Sequence, residues 1–389
     1  MNMLRNSRAS LKDGLSAVGN LPSATSSPKQ GYLPTLDGWR AVAILAVIQY
    51  HGGLYKAGWL SNRFVHENGF LGVDLFFAIS GFLICSRLLE ESRTRGYFSL
   101  GGFYIRRCFR ILPAAWAYLL VCAILSCAKI IPVDWGGLIA SLLTVRNLWA
   151  GVAGDTPTHW YTIHFWSLSV EEHFYLLLPG LLVIARGKKM AVTAAAALLT
   201  TVWTLIIVRM VHLQTPGVWL RTDERLSSLM VPAFFAVLLG GERVRDIVVR
   251  WLHPWVAVLV FCLVYAVGLS VRTLQPLDVI YGFPLLIIST IYHPLSWSGR
   301  VLELRALRFV GHISYSLYLW QQLFFLFGHQ EARWPLSLFQ HFPMNYVAAF
   351  SVAVGSYYLL EKPCIRLGHR IARPLTEGRE ELVLVGQST

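Results

Sequence analysis

The chain alternates between apolar runs of about 20 residues and shorter polar connections. A helix of about 20 apolar residues spans the hydrocarbon core of a bilayer. The pattern therefore predicts an all-α, polytopic membrane protein with about ten transmembrane helices. The runs cover residues 36–56, 70–90, 112–132, 167–186, 190–211, 227–241, 254–271, 277–295, 312–329 and 343–361.

Lysine and arginine are unevenly distributed among the connections. If successive runs cross the membrane from a cytoplasmic N-terminus, 23 of these residues fall on the inside and 8 on the outside. Because cytoplasmic loops carry an excess of Lys and Arg, the bias predicts ten spans with both termini in the cytoplasm. We expect a disordered cytoplasmic tail at 1–32, a transmembrane domain at 33–365 and a cytoplasmic C-terminal tail at 366–389.

The composition agrees with a membrane protein. The chain is 55% hydrophobic and 14% charged, with a mean hydropathy of +0.52, whereas soluble domains carry about 25% charged residues. The positive-inside bias accounts for the net charge of +13, so no nucleic-acid partner is expected. No cysteine falls in a predicted outside loop and no metal-ligand spacing is found, so neither a disulfide framework nor a metal site is predicted.

The first apolar run contains two ionisable side chains that a bilayer disfavours, Arg40 and His51. Eleven residues of helix turn through three revolutions and about 20°, so both side chains share one face, roughly 16 Å apart along the axis. Asp37 is placed to pair with Arg40. His51 is then either a packed histidine or a proton acceptor in a cavity, since imidazole suits general base catalysis.

Carboxylates in two other runs are candidates to assist His51. Asp74, in the outer turns of the second run, could orient the imidazole or simply favour its helix N-terminus. Glu171 and Glu172 follow each other in the fourth run. They point about 100° apart, so at most one of them is expected to face a cavity with His51. The sequence does not choose among these carboxylates.

The inner connection "FSLGGFYIRRCFRILP" carries Arg106, Arg107 and Arg110. In a helix these side chains form one cationic face. Such a face either anchors the chain at the membrane or binds a phosphorylated ligand, because guanidinium groups contact phosphate in bidentate fashion. Glu361, near the inner end of the last run, could pair with this cluster. The ninth run adds a polar stripe that includes Tyr315 and Tyr318, which helix–helix hydrogen bonding would explain.

Six stretches in order resemble the acyltransferase-3 family of bacterial membrane proteins. They are "LDGWRAVAILAVIQYH", "GFLGVDLFFAISGFLI", "FYIRRCFRILP", "FWSLSVEEHFYLLLP", "ISYSLYLW" and "LLEKP". The resemblance runs from about residue 33 to 365. It implies an enzyme of the bacterial cytoplasmic (inner) membrane that takes an acyl group from cytoplasmic acyl-CoA and delivers it to an acceptor such as a sugar hydroxyl.

By this resemblance, the family's arginine–histidine pair corresponds to Arg40 and His51, and its arginine motif to Arg106, Arg107 and Arg110. Many relatives carry a histidine where this chain has Gln321, which puts a role for that position in doubt. Larger members add an extracytoplasmic hydrolase-like domain after the membrane part. Because this chain ends at Thr389, a stand-alone form is expected.

The residues and the resemblance together predict an acyl-CoA-dependent O-acyltransferase of envelope or secreted polysaccharides, such as exopolysaccharide or lipopolysaccharide, or of lipid-linked sugars. Acyl-CoA is then a co-substrate and no permanently bound cofactor is expected. Partners would be the bilayer, the glycan acceptor and polysaccharide-assembly proteins. Rival hypotheses are a transporter or flippase, a non-catalytic subunit that binds lipid-linked sugars, and acylation of a small molecule such as a macrolide. The expected acyl group is acetyl, donated by acetyl-CoA, while succinyl or a longer acyl group stays open. The choice between direct attack and an acyl-enzyme also stays open.

Overall fold

The computed structural model describes residues 32–52, 68–153, 157–211, 220–271, 274, 276–326 and 331–386. These residues form helices and connecting turns, and no strand occurs among them. An all-α chain is therefore confirmed. The predicted N-terminal tail lies outside the described residues apart from Tyr32.

The first half of the described chain contains eight α-helices. They are α1 (Pro34–Gly52), α2 (Leu71–Arg95), α3 (Leu100–Cys127), α4 (Trp135–Leu142), α5 (Arg146–Ala153), α6 (Trp160–Ile163), α7 (Phe165–Ala185) and α8 (Lys189–Val211).

The second half contributes helices that are shorter except for the last, and two of them adjoin a π-helix. They are α9 (Thr222–Arg225), α10 (Ser227–Leu238), α11 (Glu242–Trp251), α12 (Pro254–Ser270), the π-helix Asp278–Gly282, α13 (Phe283–Tyr292), α14 (Trp297–Leu302), α15 (Arg305–His312), α16 (Ser314–Trp320), α17 (Met344–Ser356), the π-helix Tyr357–Glu361 and α18 (Lys362–Gly386).

Several helices have the length and apolarity needed to cross a membrane. Among the described residues four qualify: Leu71–Arg95, Leu100–Cys127, Trp160–Ala185 and Lys189–Arg209. Helices α9 and α10 together are followed by α11 after a bend of 107°. If this bent pair of segments is counted as one span, the chain has a fifth. The chain thus has the character of a multi-pass membrane protein, while α12 and the segment Asp278–Tyr292 are shorter than a full span.

Helix α2 lies at the centre of the bundle, where it packs against both α1 and α10. Two glycines allow these contacts. A Cβ atom on Gly72 would collide with the Ala43 carbonyl oxygen of α1, and one on Gly81 with the Leu229 carbonyl oxygen of α10. Small residues at helix crossings bring two backbones together in this way. The close packing holds α1, with Arg40 and His51, at a defined position beside α2.

The long connection after α3 packs onto the bundle through two short helices. Asp134 caps α4 by accepting hydrogen bonds from the backbone nitrogens of Gly136 (3.1 Å) and Gly137 (2.7 Å). Helix α5 packs against α7, and its Arg146 is fully buried. The connection therefore contributes Arg146 to the protein interior, whereas its Trp135 and Trp149 stay exposed.

Candidate active site

Helix α1 contributes to two cavities. His51 lines a cavity of about 510 Å³, here named the His51 cavity. Arg40 lines a second cavity of about 90 Å³, here named the Arg40 cavity. The shared face that helical geometry predicts for Arg40 and His51 therefore faces two separate cavities, one toward each end of α1.

The His51 side chain is held by an amide and an indole. Its Nδ1 atom lies 3.3 Å from Oε1 of Gln321, which is fully buried. The Trp160 ring packs edge-on against the imidazole with ring centroids 5.5 Å apart. When Nδ1 donates to the Gln321 carbonyl oxygen, Nε2 keeps its lone pair and can accept a proton.

Asp74 lines the His51 cavity as well, but its hydrogen bonds go elsewhere. Its Oδ1 atom lies 3.1 Å from Nη1 of Arg225 and 3.3 Å from Oγ of Ser228. The Arg225 guanidinium also stacks over the Trp166 ring, 5.5 Å from its centroid. An ion pair with Arg225 thus takes the place of the expected contact between Asp74 and His51, because α9 presents a cation directly to this carboxylate.

The arginine motif divides between two environments. Arg107 and Arg110 line the Arg40 cavity, and the Arg107 guanidinium lies 5.3 Å from the centroid of the Tyr175 ring. Arg106 does not line this cavity and instead forms an ion pair with Glu91 at 3.1 Å. The cavity therefore combines Arg40, Arg107 and Arg110, and Arg106 lies outside it.

Glu171 also belongs to the Arg40 cavity rather than to the His51 cavity. Its carboxylate accepts hydrogen bonds from Ser80 (2.8 Å) and Tyr175 (3.1 Å). The reason is its depth along α7: Trp166 reaches the His51 cavity, and five residues of helix advance the chain by about 7.5 Å. Glu172 lines neither cavity.

The remaining candidates support the helix contacts around the cavities. Tyr315 lines the Arg40 cavity and donates to the Ile111 carbonyl oxygen at 2.8 Å. Glu361 accepts a hydrogen bond from Ser316 and interacts electrostatically with Arg110. Asp37 lies 3.3 Å from Nε2 of His312 and also interacts electrostatically with Arg40.

Val73 and Tyr318 line both cavities and so separate them. The Tyr318 hydroxyl hydrogen-bonds the Ser167 hydroxyl at 2.6 Å and the His164 carbonyl oxygen at 2.9 Å. These bonds fix the phenol ring between α2 and α7. An elongated substrate that occupied both cavities would have to pass these two side chains.

A family model described as an acyltransferase domain matches residues 33–362. The chain belongs to the acyltransferase-3 family. The resemblance drawn from six short stretches is therefore confirmed.

Three curated relatives illustrate what the family contains. A Staphylococcus aureus (strain COL) protein, provisionally named an O-acetyltransferase, is 31% identical over 329 residues, which cover 78% of this chain and 52% of that protein. A Bacillus subtilis (strain 168) protein, provisionally named a peptidoglycan O-acetyltransferase, is 29% identical over 369 residues, with coverages of 87% and 56%. A peptidoglycan O-acetyltransferase of Listeria monocytogenes serovar 1/2a (strain ATCC BAA-679 / EGD-e) is 29% identical over 327 residues, with coverages of 76% and 50%.

The chain thus spans about half the length of the curated relatives it matches. No solved structure shows a significant match.

Sequence reasoning missed several residues of these cavities. Arg225, in a predicted outside connection, and His164, just before the fourth apolar run, both line the His51 cavity. A useful signal was present for Gln321, which lies on the polar stripe of the ninth run. Its partner could not be identified because His51 is 270 positions away in the chain.

Proposed function

We propose that this chain is a membrane O-acyltransferase that moves an acetyl group from cytoplasmic acyl-CoA to a sugar hydroxyl of an envelope glycan. The observation that carries the proposal is the pair of cavities served by α1: guanidinium groups line one, and the His51 imidazole lines the other. The names of the relatives support acetyl as the acyl group and a cell-wall glycan as the acceptor class.

The Arg40 cavity would face the cytoplasm and receive the donor. The uneven distribution of Lys and Arg supports this orientation, with ten spans and both termini inside. Arg107 and Arg110 would bind the phosphates of CoA, since guanidinium pairs well with phosphate oxygens. A cavity of about 90 Å³ suits the slender pantetheine arm rather than the nucleotide, so the thioester would advance toward Tyr318.

The reaction would take place where the donor arm meets the His51 cavity. His51 Nε2 would remove the proton of the acceptor hydroxyl while the hydroxyl oxygen bonds to the thioester carbonyl carbon. The carbon–sulfur bond then breaks, and the proton passes from His51 to the leaving sulfur. The products are the sugar ester and the free thiol of CoA. Exclusion of water by the apolar helices would protect the thioester from hydrolysis.

The acyl group could instead rest on His51 before transfer. Mixing the purified protein with labelled acetyl-CoA in the absence of acceptor and then quenching it would distinguish the two routes. A labelled protein that loses its label in the His51→Ala variant would indicate an acyl-enzyme, and an unlabelled parent would indicate direct attack.

The proposal is tested with the purified full chain, acetyl-CoA and a glycan acceptor. We expect the parent to form acetyl ester and the His51→Ala variant to fall to the uncatalysed background. Ester formation by His51→Ala at the parental rate would contradict the proposed mechanism.

The donor side is tested by separating the arginines. Arg107→Ala or Arg110→Ala should raise the KM for acetyl-CoA by roughly tenfold or more, because each removes a charged hydrogen-bond donor to phosphate. Arg106→Ala is the matched control from the same helix, since Arg106 pairs with Glu91 outside the cavity. Equal effects of all three substitutions would argue against a phosphate site formed by the cavity arginines.

A further inference from the structure

The His51 cavity is lined by two carboxylates that the proposed chemistry does not use. Glu224, on α9, and Asp278, the first residue of the π-helix Asp278–Gly282, each line the cavity. Both residues are only 3% exposed. They come from elements far apart in the sequence, and the fold brings them to one cavity that also contains His51.

These carboxylates retain capacity to accept hydrogen bonds. Within the part of the chain that the structure describes, Oε2 of Glu224 is buried without a hydrogen-bond partner. The hydrogen bond seen at the Asp278 side chain comes from the adjacent backbone nitrogen of Val279, at 2.8 Å. An ionised carboxylate offers about four acceptor positions, so most of this capacity is unused.

Polar atoms of a different kind are also unsatisfied in the same cavity. Both ring nitrogens of His164 and Oε1 of Gln322 are buried and lack hydrogen-bond partners among the described residues. Both side chains line the cavity and are at most 3% exposed. Buried polar groups are normally hydrogen-bonded. These atoms give a second indication, independent of the carboxylates, that the cavity binds a polar ligand. Such a ligand would have both hydrogen-bond donors and hydrogen-bond acceptors.

The charges of the cavity restrict that ligand. Among the lining residues that the structure describes, the carboxylates of Asp74, Glu224 and Asp278 face a single guanidinium, that of Arg225. Asp74 already neutralises this guanidinium at 3.1 Å. When they are ionised, Glu224 and Asp278 carry the remaining negative charge of the cavity and would repel a carboxylate or phosphate on the ligand.

Aromatic rings complete the cavity. Trp166 and Tyr265 line it together with the two carboxylates. A ligand site of this kind combines apolar and aromatic walls with a few polar groups that set orientation. Sugars suit such a site, since their hydroxyl groups donate to carboxylate oxygens and their carbon–hydrogen faces contact the rings.

We propose that Glu224 and Asp278 form the acceptor subsite of the His51 cavity, and that this subsite selects uncharged sugars over anionic ones. The inference rests on the proposed function, because it identifies the ligand of this cavity as the acetyl acceptor. Glu224 and Asp278 bind the acceptor's hydroxyl groups, and their negative charge excludes uronic acids and phosphorylated sugars.

The test measures equilibrium binding of two tetrasaccharides to the purified full chain by calorimetry. The probes are fully N-acetylated chitotetraose, which is neutral, and tetragalacturonate, which is anionic and of equal length. The parent should bind the neutral probe at least about tenfold more tightly, because charge-assisted hydrogen bonds are lost and repulsion is gained with the anionic one.

Substitutions with neutral isosteres should move the two affinities in opposite directions. The double variant Glu224→Gln/Asp278→Asn should bind chitotetraose roughly tenfold more weakly and tetragalacturonate more tightly than the parent does. A folding defect could not strengthen binding of the anionic probe. Asp223→Asn is the matched control, since this neighbour of Glu224 pairs with Arg221 and does not line the cavity.

Acetyl transfer from acetyl-CoA is measured in parallel and separates the two proposals. If the parent forms ester but the double variant keeps the parental preference between the probes, the subsite is overturned and the proposed function stands. If the binding pattern is as expected but no ester forms, Glu224 and Asp278 form a site for neutral sugars, and both the proposed function and the assignment of this sugar as the acetyl acceptor fail. Equal affinity of the parent for both probes, or no binding of chitotetraose, overturns the subsite.

Discussion

The hydrogen bond between Gln321 and His51 determines which imidazole nitrogen can act as a base. A carbonyl oxygen at 3.3 Å from Nδ1 favours the tautomer that carries its proton there. The acceptor hydroxyl then meets an unprotonated Nε2. We therefore expect Gln321 to be a positioning residue for His51.

Replacing Gln321 with alanine should lower kcat by roughly tenfold, because one orienting hydrogen bond to the base is lost. The KM for acetyl-CoA should be unchanged, since Gln321 does not line the Arg40 cavity. Steady-state kinetics with varied acetyl-CoA measure both parameters. Gln321→Glu keeps an oxygen acceptor at the same distance and should recover most of the activity, whereas equal losses in the two variants would point to a purely structural role.

For individual residues, the sequence predicts relations within one helix but not contacts between side chains of different helices. The common face of Arg40 and His51 follows from helical periodicity alone. The Asp74–Arg225 ion pair joins residues 151 positions apart, and the depth at which Glu171 meets Ser80 depends on how α7 packs against α2. Those contacts are set by tertiary packing, which no local pattern encodes.

Among the elements, the turn before α4 offers a pH-dependent contribution to stability. Asp134 accepts hydrogen bonds from the nitrogens of Gly136 and Gly137 and from Nε1 of Trp149 at 2.8 Å. Desolvation acts to raise the pKa of Asp134. These hydrogen bonds, with the nearby His159 imidazole, outweigh it and lower the pKa below its ordinary value.

Asp134→Ala should therefore destabilise the protein at pH 7, by about 0.5–2 kcal/mol as for other helix N-caps. A carboxylate with a lowered folded-state pKa contributes fully above its unfolded pKa of about 3.9, and the contribution disappears as the pH falls through the folded pKa. Thermal unfolding of both proteins should show a gap at pH 7 that narrows as the pH falls below about 3.9. Asp246→Ala, at an exposed aspartate, should show no gap, and a gap that widened in acid would contradict the assignment.

Element prediction succeeds where hydropathy determines structure. The apolar runs at 70–90 and 167–186 correspond to helices α2 and α7 within a few residues at most boundaries. The run at 312–329 instead breaks after α16 into the 3₁₀ turn Gln321–Leu323. The two π-helices are equally invisible to hydropathy. Such local distortions are common at functional sites, and here they position Asp278 and Glu361.

For the molecule as a whole, the arrangement of two cavities on either side of one partition is the property that matters most. A reaction between a donor from one side and an acceptor from the other needs a passage for the acyl group and a barrier to water. Val73 and Tyr318 stand at this partition. No pattern along the chain indicates the partition, because it arises only when α2, α7 and α16 assemble.

Removing the Tyr318 ring should join the cavities and admit water to the thioester. Tyr318→Ala is expected to raise the rate of acetyl-CoA hydrolysis in the absence of acceptor, relative to acetyl transfer in its presence. Release of the CoA thiol, followed with a thiol reagent, measures hydrolysis, and ester formation measures transfer.

Tyr318→Phe is the matched control, since it keeps the ring and loses only the hydrogen bonds to Ser167 and the His164 carbonyl. It should retain the parental ratio of transfer to hydrolysis. A ratio that fell equally in both variants would place the barrier to water in the hydrogen bonds, and an unchanged ratio in both would mean that water is excluded elsewhere in the fold.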